Sequence, residues 1–134
     1  MASVRKEMII EAGRDHVWAA LADFQSVHKR VAPGFVTDSK SDGENARIVT
    51  FSNGTSAREI LIDRDAKLRR LVYAVVGSER IAHHNASVQV FGESGKRCRL
   101  VWVADFLPND IAPYIDGQME LACPLMTRAL AEHG

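Results

Sequence analysis

Apolar and polar residues alternate with the period of a β-strand along most of this chain. In the first such segment Val4, Met8 and Ile10 fall on one face, whereas Arg5 and Glu7 fall on the other, and this period of two predicts a strand. Six further segments of similar character follow it: Phe35–Ser39, Ala46–Ser52, Thr55–Ile62, Leu68–Val76, Ala82–Phe91 and Arg97–Leu107. The connections between these six are short, and one contains an Asn-Gly pair, a strong hairpin signal. We therefore expect neighbouring strands to pair antiparallel.

Two short helices are predicted between the first strand and the second. Asp15 can cap the first helix by accepting hydrogen bonds from backbone N–H groups two or three residues further on. That helix carries Val17, Trp18 and Leu21 at the spacing of one helical face. The second helix lies around Ser26–Arg30 and is closed by a Pro-Gly pair, which commonly ends a helix.

A long helix is predicted at the C-terminal end, starting at Asn109 or Asp110. Its apolar residues recur at steps of three and four, and they are Ile111, Ile115, Gln118 or Met119, Ala122, Leu125 or Met126, and Ala129. A proline deep in a helix lacks the N–H donor and crowds the preceding turn. We therefore expect a kink at Pro124.

One face of the predicted sheet is apolar and has to be covered. In the last strand the residues of one register are all apolar: Cys98, Leu100, Trp102, Ala104 and Phe106. In the preceding strand His84 shares its register with Ala86 and Val88, whereas Asn85 and Ser87 point the other way. The final helix can cover this face, which predicts one α+β domain over residues 1–134.

Composition and charge exclude several classes of protein. The 17 basic and 17 acidic residues give a formal net charge of zero, whereas a nucleic-acid-binding face requires a basic excess. No apolar run approaches the roughly 20 residues that span a bilayer, and the first residues lack the apolar stretch of a secretory signal. Two cysteines, Cys98 and Cys123, favour buried thiols in a reducing cytoplasm over a disulfide framework.

The order of elements and several local phrases resemble the SRPBCC, or START-like, superfamily. The residues that carry the resemblance are Val17–Phe24, Ala46–Gly54, Glu59–Leu61, Arg70–Val75 and Leu100–Pro108. The chain is most similar to small bacterial members described as polyketide cyclase/dehydrase-like. The resemblance implies a helix-grip fold of order β-α-α-β-β-β-β-β-β-α, in which a curved antiparallel sheet of about seven strands wraps a long C-terminal helix. It also implies an internal cavity for a small hydrophobic ligand, without a cofactor.

Two charged residues are candidates for the interior of this cavity. Glu59 resembles the cavity-facing acid of hormone-receptor members, and burial would raise its pKa toward a useful acid/base range. The alternatives place Glu59 on the outer face, or paired simply with Arg47 or Arg58. Arg47 could anchor a ligand carboxylate bidentately, or form a cross-strand salt bridge with no ligand role.

Tyr73 and His84 are further candidates for polar contacts with a ligand. Tyr73 combines an apolar body with a polar tip that could orient a ligand oxygen, although a tyrosine in a strand also serves as plain core. His84 stands where receptor-like members have a tyrosine, and it could donate a hydrogen bond or act as a general base. A structural role is the alternative for His84, and His83 points to the opposite face, so that no metal site is expected.

The remaining wall of the cavity is predicted to be apolar. Its residues come from the last strand and the final helix, and they are Trp102, Phe106, Ile115, Met119, Ala122 and Met126. Methionines provide an adaptable surface for a flexible apolar ligand. The loops Ser52–Thr55 and Gly77–Ile81 correspond to the gate and latch of receptor members, but the first is short and a bare hairpin turn explains it.

Three functions are compatible with these residues. The first is a carrier or sensor of a small hydrophobic, lipid- or polyketide-like metabolite, and it requires only the cavity. The second is a cyclase- or dehydratase-type enzyme in which Glu59, His84 and Tyr73 move protons beside a bound carbonyl. The third is a structural or assembly module whose interior is filled by its own side chains. A monomer or a homodimer formed through an edge strand is expected.

Overall fold

The strands of the chain follow one another in an antiparallel meander. A computed structural model describes residues 1–133, and Gly134, which the predicted domain includes, lies outside the described residues. The strands are β1 (Ala2–Ile10), β2 (Val36–Ser41), β3 (Ala46–Phe51), β4 (Ser56–Asp65), β5 (Arg70–Val76), β6 (His83–Ser94) and β7 (Arg97–Leu107). The helices are α1 (Arg14–Ala22) and α2 (Ala112–His133), with short helical turns at Phe24–Ser26, Val27–Val31 and Asn109–Ile111.

Within the described residues the sheet has seven strands in the order β1-β7-β6-β5-β4-β3-β2. Each strand from β2 to β6 pairs antiparallel with its successor, and β1 pairs antiparallel with β7. Register shifts interrupt β2/β3, β4/β5 and β6/β7, and such bulges bend a strand and increase its twist. The predicted α+β helix-grip fold, a curved antiparallel sheet around a long C-terminal helix, is confirmed.

The apolar register predicted for β7 faces the core. Its five residues are at most 8% exposed, and they are Cys98, Leu100, Trp102, Ala104 and Phe106. Helix α2 covers this face with Met119, Ala122, Met126 and Leu130, all of which are buried. Alternation along a strand therefore identified the face that the final helix covers.

The start of α1 differs from the prediction. Asp15 does not cap this helix: the N-cap residue is Gly13, and no side chain bonds to the first turn. Asp15 Oδ1 instead accepts from Arg69 Nη2 at 2.8 Å. A side chain at position 13 would bring a Cβ within 2.8 Å of the Gly95 carbonyl oxygen. Glycine is therefore required here because the β6–β7 turn approaches the backbone closely.

The other helical predictions differ in detail. The segment predicted as a short helix around Ser26–Arg30 forms a 3₁₀ turn followed by a π-helical turn. Helix α2 continues through Pro124 to His133, and the kink expected at Pro124 stays a prediction. Near its start, α2 is held to the edge strand by Lys6, whose Nζ donates to Asp116 Oδ1 at 2.7 Å and also to Glu120. These contacts hold the first half of α2 against β1.

Candidate functional site

A cavity of about 510 Å³ lies between the inner face of the sheet and α2. Its walls come from β3 to β7, from the helical turns after α1, and from the residues of α2 up to Met126. Most of the lining side chains are apolar, among them Val27, Phe35, Leu71 and Val88. The volume lies within the range of about 300–1,000 Å³ that is usual for small-molecule sites.

The structure brings most of the predicted site residues to this one cavity. The lining includes Arg47, Glu59, Tyr73, His84, Trp102, Ile115, Met119 and Met126. Phe106 and Ala122 are not in the lining, and both side chains are fully buried in the core instead. The predicted apolar wall therefore needs correction at these two positions, where neighbouring side chains leave no open space.

The polar part of the cavity is organised around a buried ion pair between β3 and β4. Arg47 and Glu59 are directly opposite in the strand register, and their side chains are only 5% and 8% exposed. Arg47 donates from Nε to Glu59 Oε1 at 2.9 Å, and its Nη2 lies 2.7 Å from the same oxygen in the ion pair. Charge-assisted hydrogen bonds of this kind are about twice as strong as neutral ones, so the pair is a fixed feature of the wall.

Arg47 is held from other directions as well. Its Nη1 donates to the Phe24 carbonyl oxygen at 2.6 Å, and its guanidinium carbon lies 3.8 Å from the centre of the Phe24 ring and 5.4 Å from that of Tyr73. Sequence reasoning missed Phe24, because a backbone carbonyl carries no signal in the side-chain pattern. Glu59 occupies the Nε/Nη2 edge of Arg47, which is the cross-strand salt bridge that the sequence offered as the alternative to a bidentate anchor for a ligand carboxylate.

Tyr73 is fixed by a second hydrogen bond across the cavity floor. The Trp102 indole Nε1–H donates to the Tyr73 hydroxyl oxygen at 3.1 Å. Burial, and after it the negative charge of Glu59, raises the pKa of Tyr73 well above its ordinary value. The phenol therefore stays protonated near neutral pH, and within the described part of the chain no acceptor takes its proton. Tyr73 can donate a hydrogen bond to a bound molecule, but it is not a base.

His84 is held in its neutral form by the backbone of β5. Its Nδ1 accepts a hydrogen bond from the Val75 N–H at 3.1 Å, which places the ring proton on Nε2. Burial lowers the pKa of His84 and the charge of His83 adds to this, whereas Glu59 and Asp105 act in the opposite direction. His84 thus offers one donor, Nε2–H, that has no partner among residues 1–133.

The more exposed end of the cavity is bordered by two loops and the start of α2. Asn53 in the β3–β4 turn donates from Nδ2 to the Tyr114 hydroxyl of α2 at 3.0 Å. Tyr114, Thr55 and Arg80 belong to the lining and are exposed. The two loops compared with a gate and a latch therefore border the cavity, and a side-chain hydrogen bond ties the first of them to the helix.

A broad depression near the start of α1 is lined by residues 11–16 and 92–96 and contains none of the predicted site residues. Residues 1–133 hold no group of three or more His, Cys, Asp or Glu side chains suited to a metal ion. Within the same residues, no helix is both long and apolar enough to cross a bilayer.

Comparison with protein families gives one match over nearly the whole chain. The model of the family described as polyketide cyclase/dehydrase and lipid transport matches residues 1–133. A search of curated proteins gave no match.

Solved structures with the same fold come from bacteria and plants. A Bacillus thuringiensis protein superposes with a TM-score of 0.85 at 18% identity, covering 98% of this chain and 100% of its own. A Thermobifida fusca protein gives a TM-score of 0.79 at 28% identity, with 98% and 92% covered. Norcoclaurine synthase from Thalictrum flavum, in complex with dopamine and hydroxybenzaldehyde, gives 0.77 at 14% identity, with 98% and 84% covered.

Proposed function

The chain belongs to the polyketide cyclase/dehydrase and lipid transport family, which is of the SRPBCC type, and from this premise we propose that it binds a small hydrophobic metabolite between the sheet and α2. The protein acts in this proposal as a carrier or sensor. A cytoplasmic location and a monomeric or homodimeric state stay predictions from the sequence.

The observation that carries the proposal is the cavity itself. About 510 Å³ of space remains inside the fold, surrounded by apolar side chains with a small number of fixed polar groups, which is the usual composition of a small-molecule site. A filled core has no support, because Tyr73, Trp102 and Met119 line open space instead of closing it. A space of this size with mostly apolar walls favours an occupant whose own surface is mostly apolar.

The polar groups favour binding over proton transfer. Tyr73 stays protonated, His84 is neutral with Nδ1 already occupied, and Glu59 is paired with Arg47. Each of these side chains is held in place by a hydrogen bond, which suits orientation of a ligand. An enzyme of the cyclase or dehydratase type is the second candidate, and the observation that supports it is that Glu59, Tyr73 and His84 line one cavity. In that case Glu59 would be the proton acceptor, because neither Tyr73 nor His84 is available as a base.

Native mass spectrometry of gently purified protein tests the proposal. We expect a stoichiometric adduct of low mass that denaturation releases, together with a raised melting temperature when the released compound is added back. At a ligand concentration of 100 times Kd, the added stability is about 2.7 kcal/mol. Protein that is repeatedly empty, with no thermal shift across a broad panel of hydrophobic metabolites, would contradict the carrier.

The released compound also separates the two candidates. Incubation with excess protein should leave it chemically unchanged if the protein is a carrier. Conversion of the compound, lost in the Glu59→Gln variant while that variant still binds it, would support the enzyme instead.

A further inference from the structure

The charges inside the cavity cancel one another. Four charged residues belong to the lining: Asp23, Arg47, Glu59 and Arg80. Arg80 is exposed, and Asp23 is paired with Arg30 at 3.1 Å outside the deep part of the cavity. The deep charges are therefore those of Arg47 and Glu59, which neutralise each other. A ligand with a net charge would lose its hydration there without gaining an opposite charge.

The two partners of this ion pair are not equally available to a ligand. Arg47 gives its Nε/Nη2 edge to Glu59 and one Nη1 proton to the Phe24 carbonyl. Both contacts of Arg47 with Glu59 are made to Oε1, and Oε2 accepts no hydrogen bond within residues 1–133. Oε2 is not sealed from solvent, so a bound molecule can reach it.

We propose that Glu59 determines ligand specificity: its free Oε2 selects a neutral ligand with a hydrogen-bond donor, such as a hydroxyl, over a carboxylate on the same skeleton. This inference rests on the proposed function, because it requires that the cavity binds a small molecule. It excludes ionised fatty acids as occupants of the deep cavity, in contrast to the carboxylate anchor that Arg47 alone would suggest.

The discrimination is expected to be large, because an anion meets two penalties at once. It loses part of its own hydration on entering a cavity with mostly apolar walls, and it places its charge beside the Glu59 carboxylate. A hydroxyl in the same position gives its proton to an ionised acceptor, which is one of the stronger hydrogen bonds in proteins. We therefore expect a preference of at least about tenfold in Kd for the hydroxyl compound.

The test uses three probes that share one aromatic skeleton: naphthalene-methanol, naphthoate and methylnaphthalene, all substituted at the same ring position. Binding to the wild-type protein is measured by isothermal titration calorimetry at neutral pH, where naphthoate is ionised. We expect the alcohol to bind best, the hydrocarbon less tightly, and naphthoate at least about tenfold more weakly than the alcohol.

The Glu59→Gln variant tests whether Glu59 causes the preference. It leaves the Arg47 charge without a counter-charge, so that naphthoate should gain affinity and the alcohol should lose it, reversing or abolishing the order. A merely structural role for Glu59 would weaken all three probes alike. The matched control is Glu44→Gln, the same chemical change at an exposed residue of the β2–β3 turn that does not line the cavity, and it should keep the wild-type order.

The outcomes distinguish this inference from the function on which it rests. Wild-type protein that binds naphthoate as tightly as the alcohol, or the hydrocarbon as tightly as the alcohol, overturns the specificity while leaving a binding cavity. Wild-type protein that binds none of the probes overturns both. The order of affinities in the wild-type protein needs no substitution. The inference can therefore be refuted even if the Glu59→Gln variant does not fold.

Discussion

The half of the sheet near β1 and β7 covers a closed core, whereas the half formed by β3 to β5 borders the cavity. Where β1 and β7 meet α1 and the end of α2, Ile10, Val17, Leu100 and Leu130 are all 0% exposed, and together they form a closed core. Across β3 to β5 the inward-facing residues Arg47, Glu59, Leu71 and Tyr73 are 3–9% exposed, yet they line about 510 Å³ of space. The first half stabilises the fold by dense packing. In the second half, buried polar groups surround an open space.

The difference follows from how α2 is attached. Lys6 on β1 pairs with Asp116 and Glu120 of α2, so the first half of the helix is tied to one edge of the sheet. On the other side no comparable ion pair is found in the described residues between α2 and β3–β5, and the hydrogen bond from Asn53 to Tyr114 spans the gap at the exposed end. The cavity therefore lies on the side where the helix stands away from the sheet.

Disrupting the buried ion pair should have the largest effect on stability. In Arg47→Met the Glu59 carboxylate loses its partner in a dry environment, and breaking a buried pair in this way costs about 3–5 kcal/mol. Urea denaturation would measure the loss of unfolding free energy. The charged wall of the cavity would then be as important to the fold as the closed core.

The control is the double variant Arg47→Met/Glu59→Leu, which removes both charges. Replacing a buried pair by apolar residues of similar volume is often neutral or stabilising, so most of the lost stability should return. A double variant as unstable as the single one would show that Arg47 contributes mainly through its contacts with Phe24 and Tyr73 instead.

Truncating an apolar side chain should cost more stability in the closed core than at the cavity wall. Leu100→Ala in the closed half should cost about 2–5 kcal/mol, because it removes packed atoms and leaves a cavity. Ile115→Ala on the cavity wall should cost at least about 1 kcal/mol less, since part of its side chain already faces open space. Both values come from urea denaturation, and equal losses would mean that the cavity collapses onto α2 in solution.

Enlarging a small side chain tests the same comparison in the opposite direction, at one pair of facing residues in β6 and β7. Ala86 and Ala104 are directly opposite in the register, but Ala104 lines the cavity and Ala86 does not. Ala86→Leu should cost about 1–3 kcal/mol through overpacking, whereas Ala104→Leu should leave thermal stability nearly unchanged and weaken ligand binding. Comparable destabilisation of both variants would contradict the open space beside Ala104.

Much of this architecture could be predicted from the sequence, because it depends on local periodicity. Alternation along β7 identified its inner face, and the same register in β6 placed His84 toward the cavity that it lines. Arg47 and Glu59 are strand neighbours, so their pairing could be considered from the hairpin alone. The start of α1 was predicted wrongly, because the approach of Gly13 to Gly95 is a tertiary contact.

The contacts that decide the chemistry of the site could not be predicted in this way. The bond from Arg47 to the Phe24 carbonyl joins residues 23 positions apart, and that from Trp102 to Tyr73 joins residues 29 positions apart. Phe106 and Ala122 share the inward periodicity of the lining residues but lie in closed core. Periodicity determines the direction of a side chain, whereas the presence of a void depends on the distance between helix and sheet.

The smallest expected effect is on the pH dependence of stability. It arises from His84, a titratable side chain that lines the cavity. Because burial lowers the pKa of His84, the unfolded chain takes up a proton at this residue before the folded chain does. Stability is therefore highest when the histidine is neutral in both states, and it falls as the pH drops below about 6.5, the ordinary value for histidine. Protonation of Nδ1 would also remove the hydrogen bond from the Val75 N–H.

The decline should be shallower in His84→Gln, whose side-chain oxygen can accept the same backbone bond but does not titrate. Urea midpoints of both proteins at about pH 7 and about pH 5 measure the difference, and titrations elsewhere in the chain cancel in the comparison. Identical slopes would mean that His84 is as accessible to protons in the folded protein as in the unfolded chain. The cavity would then be filled with water near β5 and β6, and the deep site would lose the low polarity from which its preference for a neutral ligand follows.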